Sequence, residues 1–524
     1  MVLLAIITSF FIAIQDPIIQ KFAVRFAGGY LSEKTGADIK VGSLAVTPDF
    51  QVRVDDVVVK DLKGNELANI ERLRAKIYVG DLLEGKVHLD RVMLRNADVN
   101  MIQYEGEEQF NYQFLADFFS SDKEKEKSTE PLFLQIDNIN VSNLNFVMWD
   151  QNKDKPQLTE QNAMDYAHLD LDSIYLAVKD FKIIGDSIHT VVEMLKAKEM
   201  SGMEIKMLQS DVIVAQSGIR LTDMQLETNN SLIHADLNML FNSFGAFKSF
   251  VDSVNFDATI YPTDIMLSDI GAFAPVMYQM PDRIFFQGRF TGPIEHFSVS
   301  DINAQIGKST SLQGSISMHP LDFENGEHKM NIKHLRFTYD DIVNFYIPGS
   351  SKTVPLPESL KTLNSGTASL NFNGSYNNFR SDVHLLSDVG NVDVNVSRNK
   401  KANGDNVFMG DIKADRVDAG MIANASKIIG TLDLDAEFTA IFPQDGNLDL
   451  SVNGKAYSAQ LLGNHIDEVV LNGDMKENRF VGKVTVDDDE LGLDFDGLID
   501  FRNKKYPKAD FAARIDHVFF IIKK

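Results

Sequence analysis

Apolar and polar residues alternate with a period of two along most of the chain. In the segment 431–441, TLDLDAEFTAI, the leucines and the phenylalanine share one parity, whereas the acidic residues share the other. The segments 390–397, GNVDVNVS, and 491–501, LGLDFDGLIDF, repeat this pattern. A period of two indicates a β-strand with one apolar face and one solvated face.

The alternation changes parity early in the chain. In the segment 51–59, QVRVDDVVV, the valines before the two aspartates lie at even positions, and valines at odd positions follow. This slip predicts a β-bulge at Asp55–Asp56. The segment 86–101, KVHLDRVMLRNADVNM, predicts a strand with a single apolar side, made of Val87, Leu89, Met93, Ala97, Val99 and Met101.

Helical patterns are few and short. SDIGAFAPVM, from Ser268, and DAGMIANASKIIG, from Asp418, each begin with a capping residue. Since they are too few to cross over every strand, the pattern predicts a mainly β fold with a largely antiparallel sheet. A faint repeat of 82 residues, seen in Phe290 and Phe372 and in the Gly turns that follow them, favours an elongated, modular stack.

The first fourteen residues, MVLLAIITSFFIAI, carry no charge. Fourteen helical residues rise only about 21 Å, against a hydrocarbon core of about 30 Å, so we expect the natural chain to begin upstream of Met1. A signal-peptide h-region is the alternative. Residues 15–37 predict an amphipathic helix, either beside the membrane or packed on the first strands. We expect residues 1–14 to be a transmembrane anchor, formed by Leu3, Leu4, Ile6, Ile7, Phe10, Phe11, Ile12 and Ile14.

The charge and cysteine content exclude several kinds of protein. The chain has 524 residues, a net charge of −24 and no cysteine. The charge disfavours nucleic-acid binding, and the absence of cysteine excludes disulfides and thiolate zinc sites. The run SSDKEKEKSTE, residues 120–130, has no apolar residue. It predicts a disordered linker between a first β region, 38–119, and extended β repeats, 131–524.

Fragments of catalytic and metal-binding motifs do not form a site. GKST at 307–310 resembles the end of a phosphate-binding loop, but Ile302 stands where a glycine is required, so a hairpin is the better interpretation. DDDE at 487–490 lacks EF-hand spacing, and we expect a solvated structural turn that binds no metal specifically. His328 and His334, in HKMNIKH, are expected on a polar strand face. The sequence therefore predicts no enzyme, no metal site and no cofactor.

The order of several segments resembles a known family. IERLRAKIYVGDLLEGKVHLDRVMLRNADVNM resembles the AsmA-like families. Nearly all of residues 1–517 resembles the TamB family, the translocation and assembly module subunit, in its Bacteroidota-like form. Further supporting segments are DIMLSDIGAFAP, GRFTGPIEHFSVSDINAQIG, DRVDAGMIANASKIIGTLDLDAEFTAI and DDDELGLDFDGLIDFRNKKYPKADFAARIDH.

The resemblance implies a single-pass inner-membrane protein whose body lies in the periplasm of a Gram-negative envelope. It implies a sheet curled into a long apolar β-trough, along which phospholipid moves towards the outer membrane. It also implies a role in outer-membrane protein assembly, through a barrel partner that binds a C-terminal domain. Family members are longer, so that domain is expected to be missing after His517.

Parity and resemblance together predict an apolar groove that holds acyl chains. Periodicity alone leaves a trough, a sandwich and a β-solenoid open. An extracytoplasmic β-solenoid that acts as a scaffold or adhesive is the functional alternative, and it would keep a dry, filled core. An outer-membrane barrel would need strands of about ten residues with aromatic girdles, and it is the least favoured. The predicted groove is lined by Leu432, Leu434, Phe438, Val484, Val486, Leu491, Leu493 and Phe495.

Overall fold

Most of the predicted membrane-proximal region lies outside the part of the chain that the structure describes. The anchor, residues 1–14, is not among the described residues, and only the end of the predicted helix 15–37 is, as a helix over 28–35. Within the described residues, no helix is long and apolar enough to cross a membrane. The structure, a computed structural model, describes residues 28–518 except 48, 85, 122–133, 155–163, 274, 321–323, 347–351, 355–357, 359–360, 362–364, 423, 445–447, 501 and 503–507.

Strands dominate both of the compact units into which the chain divides, Met1–Arg283 and Ile284–Lys524. This confirms the predicted mainly β fold. The first unit contains β1 (Ile39–Val46), β2 (Gln51–Lys60), β3 (Glu66–Ile77), β4 (Val87–Gln103), β5 (Leu134–Asp150), β6 (His168–Ile184), β7 (Ser187–Glu199), β8 (Glu204–Ala215), β9 (Gly218–Glu227), β10 (Leu232–Leu240) and β11 (Asn255–Met266). The second contains β12 (Arg283–Gly292), whose first residue is the last of the first unit, and β13 (Phe297–Ile306), β14 (Thr310–His319), β15 (Glu327–Phe337), β16 (Gly366–Gly374), β17 (Asn378–Ser387), β18 (Gly390–Lys400), β19 (Asn406–Asp418), β20 (Ile429–Phe442), β21 (Asp449–Leu461), β22 (Asn464–Lys476), β23 (Arg479–Asp487), β24 (Leu491–Asp500) and β25 (Lys508–Val518).

The described helices are short. The two predicted helices are present as single turns, Leu267–Ile270 and Ala419–Ile422. The carboxylate of Asp418 caps the second, because its Oδ1 accepts a hydrogen bond from the backbone N of Met421 (2.8 Å). Ser268 does not cap the first, which begins after Met266 without a side-chain cap. The other helical segments are Val79–Leu83, Gln113–Ser121, Phe244–Ser249, Phe250–Ser253, Pro275–Met277 and Tyr339–Asn344.

Consecutive strands pair side by side, which confirms a largely antiparallel sheet. In the second unit every pair from β12–β13 to β24–β25 is antiparallel. In the first unit β4 and β5 pair in parallel. A parallel pair needs a long crossover, and the connection here includes the helix Gln113–Ser121.

The predicted charged linker, 120–130, falls within the connection between β4 and β5. Residues 122–130 lie outside the described part of the chain, while 120 and 121 end the helix Gln113–Ser121. Because β4 and β5 are hydrogen-bonded neighbours, the sheet of the first unit continues across this linker. The division into two compact units falls between Arg283 and Ile284.

A left-handed residue replaces the predicted bulge in β2. Asp56 has φ 54°, and the pairing passes it without a shift, from Asp55 opposite Arg72 to Val57 opposite Ile70. No residue is inserted, so the predicted bulge is wrong in this detail. Aspartate and asparagine enter the left-handed region more readily than other residues with a Cβ, since their short polar side chains bond locally.

A left-handed residue also changes the parity of the alternation in β4. Asn96 has φ 49°, and Asn143 of β5, with φ 56°, donates a hydrogen bond from Nδ2 to its Oδ1 (2.9 Å). Met93, before Asn96, is 37% exposed, whereas Ala97, after it, is 2% exposed. The expectation that Met93 and Ala97 share one apolar side of 86–101 is therefore wrong, because the left-handed residue reverses the alternation.

The helix Tyr339–Asn344 closes the turn between β13 and β14. The carboxylate of Asp341 accepts hydrogen bonds from the backbone N of Ser309 (3.0 Å) and from the backbone N and hydroxyl of Thr310 (2.9 and 3.0 Å). This turn is the GKST segment, and its hairpin interpretation is confirmed. The backbone N–H groups that would attract a phosphate in a true phosphate-binding loop are occupied by a carboxylate of the same chain.

A second short helix closes another hairpin in the same way. Asp269, in Leu267–Ile270, accepts hydrogen bonds from the backbone N of Asn230 (2.8 Å) and the hydroxyl of Ser231 (2.8 Å). These residues form the turn between β9 and β10. In both places, a helix that follows a third strand fixes the turn between the two strands before it.

The 82-residue repeat corresponds to two similar hairpins. Phe290 stacks on Phe297 across β12 and β13, with ring centroids 5.1 Å apart, and the equivalent rings across β16 and β17 are 5.0 Å apart. The glycines that begin the two turns, Gly292 and Gly374, have φ values of 96° and 129°. A side chain is strained at such φ values, so the Gly turns are a backbone requirement.

We predict that Asp341→Asn weakens the second unit and that the neighbouring Asp340→Asn does not. Losing charge-assisted hydrogen bonds to one turn should lower the free energy of unfolding by about 1–3 kcal/mol. Asp340 is exposed, so its substitution should change that free energy by less than about 0.5 kcal/mol. Urea unfolding of the full chain at pH 7 measures both effects.

The effect of Asp341→Asn should also depend on pH. Burial alone raises the pKa of Asp341, but the hydrogen bonds from Ser309, Thr310 and Lys308 outweigh it and hold the pKa below 3.8. The stabilisation by a carboxyl with a depressed pKa is present above pH 3.8 and is lost as the pH falls through the folded-state pKa. Equal effects of the two substitutions at pH 7 would show that the carboxylate of Asp341 does not stabilise the turn between β13 and β14.

Candidate functional site

Hydrogen-bonded register aligns apolar side chains into continuous rows across the second unit. Residues directly opposite each other on paired strands point to the same face of a sheet. A first row therefore runs through one residue of every strand from β12 to β25, and each of them is apolar. It consists of Phe286, Ala304, Leu312, Leu335, Ala368, Leu385, Val392, Ala414, Leu434, Ala456, Val469, Val486, Leu493 and Ile515.

Two further rows run beside the first, and together the three define what we call the apolar face. The second consists of Ile302, Gly314, Ile332, Leu370, Val383, Val394, Ile412, Ala436, Gly454, Leu471, Val484, Phe495 and Ala513. The third consists of Phe290, Val299, Ile316, Met330, Phe372, Ser381, Val396, Gly410, Phe438, Val452, Gly473, Gly482, Gly497 and Phe511. Apart from glycine, Ser381 is the single polar member of these rows.

The structure brings the eight predicted groove residues onto this one face. Leu434, Val486 and Leu493 belong to the first row, Val484 and Phe495 to the second, and Phe438 to the third. The other two extend the face towards one edge of the sheet. Leu432 lies opposite Val417 and Ala459, and Leu491 packs with Ile466 and Val486.

The opposite side of the sheet, the polar face, carries charged and amide side chains. Asn395 donates a hydrogen bond from Nδ2 to Asp411 (2.9 Å), and Lys455 pairs with Glu468 (3.0 Å). These groups keep this face solvated. One polar row of this face has each of its residues between a second-row and a third-row residue along the same strand. It consists of Ser315, Asn331, Asn371, Asp382, Asn395, Asp411, Glu437, Asn453, Asn472, Lys483 and Asp496.

Most predicted groove residues are half-buried rather than buried. Leu434, Phe438, Leu493 and Phe495 keep intermediate exposure, whereas Val486 is 5% exposed. A second sheet packed about 10 Å away would exclude water from the whole face. The intermediate exposure indicates that these side chains are shielded by their neighbours in the same sheet.

The hydrophobic clusters support the same conclusion. The cluster of Ile466, Val486 and Leu491 draws its members from β22, β23 and β24, which are adjacent strands. In the first unit, the cluster of Leu221, Met224 and Ala235 is likewise formed by neighbours, with further contacts from β8 to β11. A sandwich core would instead join strands of two facing sheets.

The first unit has a comparable row that sequence reasoning missed. It spans ten strands and consists of Leu44, Val54, Leu73, Leu94, Val141, Leu176, Leu195, Leu208, Leu226 and Ile233. Left-handed residues in β2, β4 and β5 change parity beside it, and β4 pairs with β5 in parallel. The sequence signal for these changes in parity is an aspartate or asparagine in each strand, namely Asp56, Asn96 and Asn143.

Glycines on the apolar face leave space for aromatic rings. A Cβ at Gly473 or Gly482 would collide with the ring of Phe480, and one at Gly497 with Phe511. The rings therefore lie against the backbone of neighbouring strands. A strand glycine that follows or precedes a phenylalanine by two residues, as Gly482 follows Phe480, is the sequence signal for this packing.

The acidic turn at 487–490 has a structural contact that the sequence did not reveal. The carboxylate of Asp488 accepts hydrogen bonds from the backbone N of Asp467 (2.9 Å) and of Glu490 (2.7 Å). The bond from Asp467 is the main reason that the pKa of Asp488 lies below its usual value. Within the described residues, no cluster of acidic or histidine side chains is arranged to hold a metal ion.

One of the two histidines lies on the opposite side from the one expected. His328 is opposite Met318 and Gly374 and is fully buried. The expectation that it lies on a polar strand face is therefore wrong. The register shifts between Ile332 and Leu335, which reverses the alternation before His334, and His334 is exposed.

Comparisons with known proteins identify no relative of this chain. No protein-family model, curated protein or solved structure matches the chain.

We predict that the apolar face is accessible to a thiol reagent in the native state. Because the chain contains no cysteine, Leu493→Cys on the apolar face and Asp494→Cys on the polar face each give a single reactive site. Their rates of modification by a small maleimide should agree to within about tenfold, since a half-buried side chain needs only local motion to react.

A filled core predicts a different result for this pair. Modification of Leu493→Cys would then wait for unfolding and would be slower than that of Asp494→Cys by at least about a thousandfold. That outcome would contradict an open apolar face. Circular dichroism of both variants confirms that each retains the sheet.

Proposed function

We propose that the protein is an inner-membrane-anchored periplasmic protein whose apolar face forms a groove that conducts phospholipid between the inner and outer membranes. The observation that carries this proposal is the unbroken first row, which is apolar in every strand from Phe286 to Ile515. A role in outer-membrane protein assembly, through a barrel partner that binds a C-terminal domain as in the TamB family, is the second part of this proposal. The protein performs no catalytic step and needs no cofactor.

The dimensions of the apolar face suit acyl chains. Fourteen strands spaced about 4.8 Å apart give a row about 60 Å long, which exceeds the length of a single phospholipid. Covering an apolar surface releases about 25 cal/mol for each Å² removed from water, so acyl chains gain free energy anywhere along the row. Because similar apolar side chains repeat along the row, the free energy of a bound acyl chain has no deep minimum at any one strand. This favours movement of the acyl chain along the row.

The charge distribution supports the same function. The net charge of −24 keeps the body soluble and away from anionic membrane surfaces. Its acidic groups on β20, such as Asp435 and Glu437, lie on the polar face, whereas Leu434 and Phe438 lie on the apolar face. Lipid therefore meets apolar side chains on one face while the other face stays solvated.

The resemblance to the TamB family supports the location and the partner. The uncharged residues 1–14 are the proposed inner-membrane anchor, and the rest of the chain lies in the periplasm. In that family, a C-terminal domain binds the barrel partner. The competing interpretation, a β-solenoid scaffold, calls for a dry core, and the intermediate exposure of Leu434 and Phe438 favours the groove.

We predict that Phe438→Asp abolishes photo-cross-linking of lipid to the full chain while the sheet remains folded. Phe438 lies opposite Gly410 and Val452 in the third row, so a carboxylate there interrupts the apolar surface. An unpaired charge in contact with acyl chains costs several kcal/mol. On a half-buried face the same carboxylate reaches water once lipid is absent, which spares the fold.

Thr439→Asp is the matched control, since Thr439 is the next residue and lies on the polar face opposite Met409 and Ser451. It should leave both lipid cross-linking and the thermal unfolding temperature close to those of the parent. The proposal would be contradicted if Phe438→Asp unfolded the whole protein and the parent protein cross-linked no lipid.

A further inference from the structure

A buried arginine lies on the apolar face, next to the third row. Arg398 of β18 is opposite Phe379 of β17 and Phe408 of β19. It follows Val396 by two residues, so the strand alternation places both side chains on the same face. Arg398 is 9% exposed. The guanidinium thus lies among aromatic side chains on an otherwise apolar face, where a charge is least expected.

This guanidinium has aromatic and neutral polar contacts. Its Cζ lies 4.1 Å from the ring centroid of Tyr376 and 5.5 Å from that of Phe408. Nη1 donates a hydrogen bond to the backbone O of Tyr376 (2.7 Å), and Nη2 donates one to Oδ1 of Asn406 (2.7 Å). Its Nε is buried and has no acceptor. Among the described residues, no carboxylate forms an ion pair with Arg398.

Such an arrangement leaves the positive charge uncompensated. A guanidinium has five N–H donors, and two of them are bonded here. Buried charges in proteins are normally paired, because desolvation without a counter-charge is costly. The chain has 75 acidic residues, so the missing carboxylate does not reflect a shortage of them. Three of the five N–H donors therefore have no acceptor among the described residues, and an anion is the ligand that a guanidinium prefers.

We propose that Arg398 binds the phosphodiester of a phospholipid whose acyl chains lie on the apolar face, an inference that rests on the proposed function. The planar fork of a guanidinium matches the geometry of phosphate oxygens. The hydroxyl of Ser381, opposite Val396 in the third row, brings a second donor to the same part of the face. The phosphodiester provides the counter-charge, and its oxygens accept the unused N–H groups.

A lipid headgroup fits this site better than free phosphate. A net charge of −24 disfavours the approach of a small anion from solution. Acyl chains that bind beside Arg398 offset that repulsion, because Val396 and Phe438 belong to the row next to it. The ligand of Arg398 is therefore an anion that is attached to an apolar chain.

The test compares two lipids on the full chain. The probes are phosphatidylglycerol and diacylglycerol that carry the same fluorescent acyl chain, and they differ in the phosphodiester headgroup. Arg398→Met should weaken phosphatidylglycerol binding about tenfold or more, which corresponds to about 1.4 kcal/mol, and leave diacylglycerol binding unchanged. Arg380→Met is the matched control, because Arg380 is exposed, on the adjacent strand β17, and on the polar face. It should change neither affinity.

Each other outcome overturns a distinct claim. If Arg398→Met weakens both lipids equally, or neither, Arg398 only tethers the turn before β17. If inorganic phosphate at millimolar concentration fully displaces phosphatidylglycerol from the parent, the site takes free phosphate rather than a lipid headgroup. If the parent binds neither lipid, the groove proposal itself fails.

Arg398→Lys is a second variant that separates a loss of headgroup binding from a folding defect in Arg398→Met. It keeps the positive charge but loses the planar fork, so phosphatidylglycerol binding should be weakened less than in Arg398→Met, with diacylglycerol binding unchanged. Loss of diacylglycerol binding in both Arg398 variants would assign a structural role to the residue and overturn the proposal.

Discussion

Cross-strand register is the constraint on which the apolar face depends. The side-chain period of a strand is two, so a slip of one residue in any pairing would move an apolar position to the polar face. In the second unit the first row keeps an apolar residue in every strand from β12 to β25. A single slipped strand, such as one that placed Asp494 where Leu493 lies, would put a carboxylate in the middle of the row. Register thus links the hydrogen bonds of the backbone to the continuity of the surface.

Several polar side chains help to hold the register of the strands. Asp341 and Asp269 fix hairpin turns from short helices that follow later in the chain, and Asp488 fixes the backbone of β22 at Asp467. Left-handed residues such as Asn96 correct the parity within long strands, so that apolar side chains stay on one side. Each feature uses a small polar side chain, because the short side chains of aspartate and asparagine bond readily to nearby backbone groups.

The sequence predicted those parts of the face that depend on neighbours along the chain. Alternation alone placed Leu434 and Phe438 on one side and Asp435 on the other, and the pairing of β20 with β19 and β21 agrees with it. Alternation gave the wrong side for Met93, because one left-handed residue, Asn96, reverses it. A hydropathy pattern contains no information on backbone angles.

Features that depend on distant residues could not be predicted in this way. Asp341 is 31 residues from Thr310, whose backbone it caps. The setting of Arg398 comes from rings in the turn before β17 and in β19, which only pairing brings together. The parallel pairing of β4 with β5 likewise reflects a long connection rather than any local pattern.

An open apolar face in contact with water is costly unless something covers it. Contiguous exposed apolar patches of more than a few hundred Å² mark binding surfaces in soluble proteins. The three apolar rows form a contiguous apolar surface of this kind, and the opposite face carries charged groups such as Asp411 and Lys455. Acyl chains are the occupants that we propose for a surface of this length and uniform chemistry.

The most direct test of this account is mass spectrometry of the lipids that co-purify with the full chain. The account predicts phospholipid in stoichiometric amount, retained after the detergent is exchanged and the membranes are removed. A chain that retains its sheet by circular dichroism but carries no more phospholipid than an unrelated protein purified in parallel would contradict it.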